Sequence, residues 1–385
     1  MNNPPRIAVF KTKFLPYSET FIHDELHAHQ RYKPFVLAKK HLNAAQFTDH
    51  EVINFLPSDN LLNRIEHYLF NRWRWSWTFK QVLIRNRVCL IHAHFAYSGI
   101  FMVPLAKKLN IPLIVTLHGN DVAILLGDQL HQKKWALYKK KYKELLHQAS
   151  LFLADSQELK DRIVEIGCPA EKVIVHTLGI DLKKFPYQAQ KPSLPPRILM
   201  VGRFVEKKGF IYGIRAFAAA RKDIKNAELH IIGDGELRTE YEAEARSLGV
   251  ASTVFFHGVR PHEEIVQHMH QAALFLAPSV IAANKDRDSG LIVAKEAAAC
   301  GLPVIGSIHG GIPDIIADGE TGFLIPERDV IKMSQCIVEI LNNPELWSRM
   351  SIASRKKIEE EYNIEKCNER SSSIYDELLK SMQAM

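Results

Sequence analysis

"LFLAPSVIAANKDRDSGLIVAKEAAACGLPVIGS", residues 274–307, reads as strand, polar loop, helix and second strand. "LFLAPS" and "PVIGS" are apolar runs of strand length, and Gly301 and Pro303 end the helical pattern between them. Two strands joined through a helix must pair in parallel, so the fold class is α/β. Two acids interrupt this apolar unit. Asp288, or Ser289 beside it, stands where a helix cap belongs. Glu296 has Ile292, Val293, Ala299 and Cys300 as its neighbours three and four residues away. A carboxylate in that stripe is costly unless something binds it. Two partners would serve: a basic side chain of a neighbouring loop, or a ligand whose vicinal diol donates two hydrogen bonds. If the whole span were helical, the two acids would lie about 12 Å apart, able to hold two ends of one extended ligand.

The same alternation extends in both directions. In the first half "RIAVFK", "PFVLA", "VCLIHAH", "PLIVTLH" and "LFLADS" read as buried parallel strands, with helical patterns such as 98–109 and 133–149 between them. "PYQAQKPSLPP", residues 186–196, holds four prolines and reads as a linker. The pattern then restarts with "RILMVGRF", "AELHIIGDG", "VFFHGV", "LFLAPS", "PVIGS" and "GFLIP", and residues 344–385 are helical without a strand. The expected organisation is an N-terminal Rossmann-like domain over 1–185, the linker, a second such domain over 197–365, and a C-terminal helix over 366–385 that crosses back to the first. Two doubly wound sheets are expected to face each other across a cleft, since such sheets bind ligands beyond the carboxyl ends of their strands.

Composition narrows the function. Apolar residues make up 46% and charged residues 24% of the 385, as in globular domains. There is no run of 18 apolar residues and no signal-peptide layout in "MNNPPRIAVFKTKF". The five cysteines are scattered, which suits a reducing cytosol. Residues 1–185 hold 26 Lys+Arg against 16 Asp+Glu, a net +10, and the remainder holds 24 against 27, a net −3. A basic first half suggests an anionic partner: a membrane surface, a nucleic acid or an acidic acceptor.

Several polar clusters stand at strand ends. "ILMVGRFVEKKGF" places Gly202, Arg203, Lys207, Lys208 and Gly209 between a strand and a helix over 210–221, an arrangement suited to phosphate. "SIHGGIPDII" adds Gly310 and Gly311, whose amides could face an anion. "GDGELR", residues 233–238, resembles a dinucleotide fingerprint but ends in Arg238 where a small residue is needed, so it reads as a turn and helix start. In the first half "TLHGND" puts His118, Gly119 and Asp121 past a strand, "HAHF" puts His92 and His94 likewise, and "FLPYSETF" puts Ser18, Glu19 and Thr20 after the first strand. No zinc spacing and no nucleophile elbow appears.

"LLNRIEHYLFNRWRWSWTFKQVLIRNR", residues 61–87, brings Leu69, Trp73, Trp77 and Ile84 near one helical face with Arg72, Arg74, Lys80, Arg85 and Arg87 around them. "KKWALYKKKYKELL", residues 133–146, adds six lysines. Two readings stand: a basic aromatic helix docked on a membrane, or a core-facing stripe with a solvated basic back.

As a set, "VGRFVEKKG", "GDGELR", "APS", "EAAACGLPVIGS" and "GGIPDIIADGETGFLIP" resemble the retaining nucleotide-sugar glycosyltransferases of family 4, which have the GT-B architecture. "SETFI" resembles the subgroup that builds bacterial exopolysaccharide or lipopolysaccharide repeats. The resemblance implies a metal-independent enzyme that moves a sugar from a UDP- or GDP-sugar to a glycan or lipid-linked acceptor, without a cofactor. It implies Arg203 and Lys208 on the diphosphate, Glu296 on the ribose, and His118 reaching the donor sugar from the opposite domain. Donor contacts would also fall on Gly202, Gly119, Ser289, Gly290, Leu291, Gly310 and Gly311. The family has two glutamates separated by seven residues; here the first is Asp288, a departure, as is Ser289-Gly290. The implied location is the cytoplasm, peripheral at the inner face of the membrane. The rival classes are a nicotinamide-dependent Rossmann protein, which lacks its fingerprint, and a nucleic-acid-binding protein, which lacks a recognised module; no nucleic acid is expected.

Overall fold

The computed structural model describes residues 4–15, 20–45, 48–54, 61–188 and 194–383. Ser18 and Glu19, and 189–193 of the expected linker, lie outside them. The chain divides into two units, one of residues 1–179 with 364–385 and one of residues 180–363. The division thus falls at 179/180 and 363/364 rather than at the prolines. Ile180 and Phe185 explain the shift, for both are buried in the second unit's core.

In the first unit seven strands form one sheet in the order β3-β2-β1-β4-β5-β6-β7. They are β1 (Arg6–Phe14), β2 (Lys33–His41), β3 (Val52–Asn54), β4 (Leu90–His94), β5 (Leu113–Leu117), β6 (Leu151–Ala154) and β7 (Val173–Val175). Every pairing is parallel. Alternate residues fill two cores, one holding Ala8, Phe10, Ile91 and Val115, the other Ile7, Val9, Leu90 and Ile114. This is the burial on both faces that near-continuous apolar strands require. The helix Ile364–Gln383 belongs to this unit: Arg31 pairs with Glu369 and Asp376, and the Tyr375 hydroxyl lies 2.8 Å from His92 Nδ1. β3 and β7 were not expected, since three-residue strands carry too little periodicity to be read.

The second unit holds β8 (Arg197–Val201), β9 (Glu228–Ile232), β10 (Val254–Gly258), β11 (Leu274–Ala277), β12 (Val304–Ser307) and β13 (Gly322–Ile325). They pair in parallel in the order β10-β9-β8-β11-β12-β13. Strand order reverses at β8 and β11, the place where such sheets bind ligands.

Residues 61–87 are not one helix. Leu61–Trp73 and Trp77–Arg85 are separated at Arg74, which has φ +60°. The break is held firmly. Buried Glu66 accepts from Ser76 Oγ at 2.6 Å, Thr78 Oγ1 at 2.6 Å and Thr78 N at 2.8 Å. Ser76 caps the second helix, and buried Arg74 pairs with Glu144 at 3.1 Å. The aromatic residues that enter the core are Phe70 and Phe79, while Trp73 is 59% and Trp77 36% exposed. Trp73, Trp77 and Ile84 therefore do not face the core, whereas Trp75 packs against it, partly buried. In residues 133–146, Tyr138, Leu145 and Leu146 are buried and most of the lysines face solvent. Among the described residues no helix is long and apolar enough to cross a membrane.

Candidate functional site

The loops after β8, β11 and β12 meet in the second unit. Past β8, Gly202 and the exposed Arg203 lead into a 3₁₀ turn, Glu206–Lys208, and then the helix Phe210–Ala220. Gly209 must be glycine: its φ is +62°, and a Cβ would strike the Pro278 carbonyl after β11. That close approach sets the lysines against the β11 loop. Lys208 Nζ lies 3.0 Å from Asp288 Oδ2. Lys207 Nζ lies 3.2 Å from Asp286 and 3.8 Å from Asp288 Oδ1. Ser279 Oγ donates to Asp288 Oδ2 at 2.7 Å.

Asp288 is buried and is not a helix cap. The helix begins four residues later, as Ile292–Ala299, with no side-chain cap. Ser289, Gly290 and Leu291 form the bend that separates acid and helix. Burial opposes ionisation of Asp288, but Lys208, Lys207 and the Ser279 hydroxyl outweigh it and hold the carboxyl below its usual range. The loop after β12 closes the group. Asp288 N donates to His309 Nε2 at 3.0 Å, and His309 Nδ1 lies 2.7 Å from Glu327 Oε1. Gly310, at φ +52°, lies so near the Asp288 carbonyl that a Cβ would collide with it, and Gly311 starts the short helix Ile312–Ile315.

Gly202, Lys208, Asp288 and Gly310 are thus brought into contact, with Arg203, Ser289, Gly290, Leu291 and Gly311 next to them in the chain. Glu296 sits apart, on the helix, with its side chain 16% exposed. His262 Nε2 stands 3.7 Å from it, and that bond to Glu296 raises the His262 pKa despite burial. A basic neighbour, the first of the two partners considered for Glu296, is therefore present. Sequence reasoning passed over Ser279, His309 and Glu327. His309 directly precedes the glycine pair, but its bond to a residue twenty-one positions away leaves no local signal. Gly233 and Gly235 of "GDGELR" serve close backbone approach to Gly202 and Phe204, and Arg238 pairs with Asp234 and Glu242.

In the first unit His118 and Gly119 follow β5 as expected, with Gly119 at φ +83°. His118 Nε2 lies 3.1 Å from His94 Nδ1, and the ring packs on Phe21 and Phe95. Burial, and next the Lys11 charge, hold its pKa well below 6.5, so the ring is neutral. His92 and His94 were expected past a strand; both lie inside β4 and are buried. His92 tolerates this because Thr116 Oγ1 and the Tyr375 hydroxyl bond its two nitrogens, at 2.6 and 2.8 Å. Burial lowers its pKa to about 3. Asp121 accepts from Ala96 N and His118 N and ties two turns together. Thr20 opens the helix Thr20–Ala28.

Two family models match this chain: "Glycosyltransferase Family 4" over residues 23–184 and "Glycosyl transferases group 1" over residues 183–357. The amylovoran biosynthesis glycosyltransferase AmsK of Erwinia amylovora is 32% identical over 272 residues, 70% of this chain and 65% of that protein. The putative colanic acid biosynthesis glycosyltransferase WcaL of Escherichia coli K12 is 27% identical over 304 residues, 77% of this chain and 73% of that protein. Among solved structures, Anabaena Alr3699/HepE in complex with UDP superposes with a TM-score of 0.76 at 18% identity, covering 97% of this chain and 100% of that one. The chain belongs to glycosyltransferase family 4, and its two parallel-sheet units are those of the GT-B fold.

Proposed function

We propose that the protein transfers a sugar, with retention of anomeric configuration, from a nucleotide-sugar donor such as a UDP- or GDP-sugar to a glycan or lipid-linked acceptor in exopolysaccharide or envelope-glycan synthesis. The observation that carries this reading is the Lys208–Asp288–Ser279 group between the glycine turns of Gly202 and Gly310. A buried acid ion-paired with two lysines beside glycine turns suits a diphosphate leaving group. In the proposal Lys208, Arg203 and the amides near Gly310 and Gly311 stabilise that diphosphate, with Gly202 beside the donor, so no metal ion is assigned to the step. Glu296 takes the ribose. Ser289, Gly290 and Leu291 take the donor beside Asp288, while His118 and Gly119 are assigned to the sugar.

Retention needs either an enzymic nucleophile or attack from the leaving-group side. Asp288 is a poor nucleophile, since both its oxygens are engaged by ammonium or hydroxyl groups. The acceptor hydroxyl is therefore assigned attack on the face the diphosphate leaves. The bond from C1 to the phosphate oxygen breaks, the bond from C1 to the acceptor oxygen forms, and a departing phosphate oxygen takes the proton. The names of AmsK and WcaL support the exopolysaccharide reading, and the UDP complex of Alr3699/HepE supports the donor class.

A peripheral position at the inner face of the membrane is part of the proposal. Leu61, Leu62, Ile65, Tyr68 and Trp73 are exposed on one helix, with Arg64 and Arg72 among them. Such a face suits an anionic bilayer and would bring a lipid-linked acceptor within reach. The test is calorimetric titration with UDP, GDP, uridine and guanosine, followed by proton NMR of the product formed from a bound donor. Binding of a diphosphate and an axial-to-axial or equatorial-to-equatorial outcome supports the reading. Absence of any nucleoside diphosphate binding at millimolar concentration, or inversion, overturns it.

A further inference from the structure

Away from the glycine turns, the first unit gathers three imidazoles around one carboxylate. His23 and His27 stand four residues apart on the helix Thr20–Ala28, which puts them on one face. Asp49 and His50 come from the segment just before β3. One ligand atom of each of the four lies within 4.8 Å of the others. Asp49 Oδ2 is 2.6 Å from His27 Nε2 and 3.3 Å from His23 Nε2. The His50 ring is centred 4.4 Å from that of His27 and 4.7 Å from that of His23.

Two details orient the group. His23 Nδ1 lies 3.2 Å from Asp24 Oδ1, the carboxylate–histidine arrangement that leaves Nε2 as the basic nitrogen on the Asp49 side. His50 Nε2 is buried and has no hydrogen-bond partner among the described residues, and its ring meets Phe14 edge-on. A buried imidazole nitrogen without a partner costs free energy that a bound ligand would recover, and here, unlike at His29 Nδ1 and His41 Nε2, it stands within a cluster of ligand atoms. Crowding three imidazoles about one carboxylate makes sense if a cation shares their lone pairs.

Two other groups are less suited: one has its imidazoles already paired, and the other, although Glu25 Oε2 also lacks a partner among the described residues, is wholly buried. In the cluster of His230, His257 and His268, His230 already bonds Glu228 at 3.0 Å and His257 at 2.9 Å. In that of Glu25, His92 and His94, all three are buried and His92 has both nitrogens occupied.

We propose that His23, His27, Asp49 and His50 form a structural binding site for a divalent cation of the zinc class. Three neutral imidazoles and one carboxylate suit Zn²⁺, and four protein ligands fill its tetrahedron, so no position is left open for catalysis. Bonds near 2.0 Å place neighbouring ligands about 3.3 Å apart, so the widest pair must draw in by about 1.5 Å. His27 and Asp49 are roughly half exposed and able to turn inward. The bound ion would staple the segment before β3 to the helix after β1.

The test uses the full chain without a polyhistidine tag, stripped with EDTA and desalted, then titrated with ZnCl₂ and CoCl₂. The expected result is one Zn²⁺ per chain with a submicromolar Kd, and an intense visible band of four-coordinate Co²⁺. Zn²⁺ in hundredfold excess over Kd should raise the melting temperature by about 5 °C. His27→Gln combined with Asp49→Asn should weaken binding at least about 100-fold and abolish the thermal shift. His257→Gln combined with His268→Gln should change neither. Melting in EDTA checks that the first pair still folds; if it does not, the single change His27→Gln is read instead. No binding at about 10 µM Zn²⁺, an octahedral Co²⁺ spectrum, or loss of binding only with the 257/268 pair overturns the assignment. The readout is metal binding alone, so it stands or falls independently of sugar transfer.

Discussion

Asp288 lies at the centre of the loop group in the second unit, and its surroundings show what the acid does. Its oxygens are taken by Lys208, Lys207 and Ser279, and its backbone nitrogen donates to His309. Asp288→Asn removes the charge that the two ammonium groups of Lys207 and Lys208 face, and a hydrogen bond to a charged group is worth about 1.5–3 kcal/mol. The variant should lose stability of that order in urea unfolding; a change below about 0.5 kcal/mol would show the lysines to be served by water instead. Lys208→Ala and Arg203→Ala should each weaken UDP or GDP binding at least tenfold while nucleoside affinity moves little, because only the charged contacts to phosphate are removed. Equal losses for nucleoside and diphosphate in calorimetry would sink the phosphate assignment. Gly310→Ala should lower both stability and nucleotide affinity, since φ +52° and the nearby Asp288 carbonyl leave no room for a methyl.

At the scale of elements, the two helices over Leu61–Trp73 and Trp77–Arg85 divide labour that sequence periodicity had merged. The kink at Arg74 turns Phe70 and Phe79 into the core and leaves Leu61, Leu62, Tyr68 and Trp73 in solvent. The kink depends on Glu66, whose carboxylate bonds Ser76 and Thr78. Leu62→Ser with Trp73→Ser should therefore leave the melting temperature within about 2 °C, these side chains being more than half exposed, while cutting co-sedimentation with anionic vesicles several-fold. Salt should release the wild type. Unchanged sedimentation of the folded variant would rule out membrane docking through this face.

For the first unit as a whole, buried neutral histidines set the acid limit. Burial lowers His92 to about 3, and His94 and His118 also lie well below 6.5. The unfolded chain takes up these protons near pH 6.5, whereas the folded unit refuses them until far lower. Between about pH 6.5 and pH 3 the unfolded state binds more protons at these three histidines, so their contribution to stability falls as pH falls and outnumbers the opposite contribution of Glu25, whose pKa burial raises to about 8. Urea midpoints measured from pH 7.5 to pH 4.5 should decline below pH 6.5, and Tyr375→Phe should move the midpoint lower throughout, since it strips one of the two bonds that keep His92 satisfied. A flat profile over that range would show these rings to be reached by solvent.

The alternation of apolar strands with helical segments was enough to read two parallel sheets, because strands buried on both faces must be apolar throughout and crossovers must be helical. "VGRFVEKKG" and "SIHGGIPD" likewise exposed Lys208 and Gly310 as candidates, since a glycine turn after a strand has a local signature. What only the tertiary structure decided depends on contacts between residues distant in sequence. Asp288 reads locally as a cap and becomes an ion-paired acid because Gly209 lets the β8 loop approach Pro278. The position of the domain boundary follows from where Ile180 and Phe185 bury, not from the prolines after them. The joining of His23 and His27 to Asp49 and His50 follows from the packing of a helix against the segment before β3, and no periodicity within either element records it.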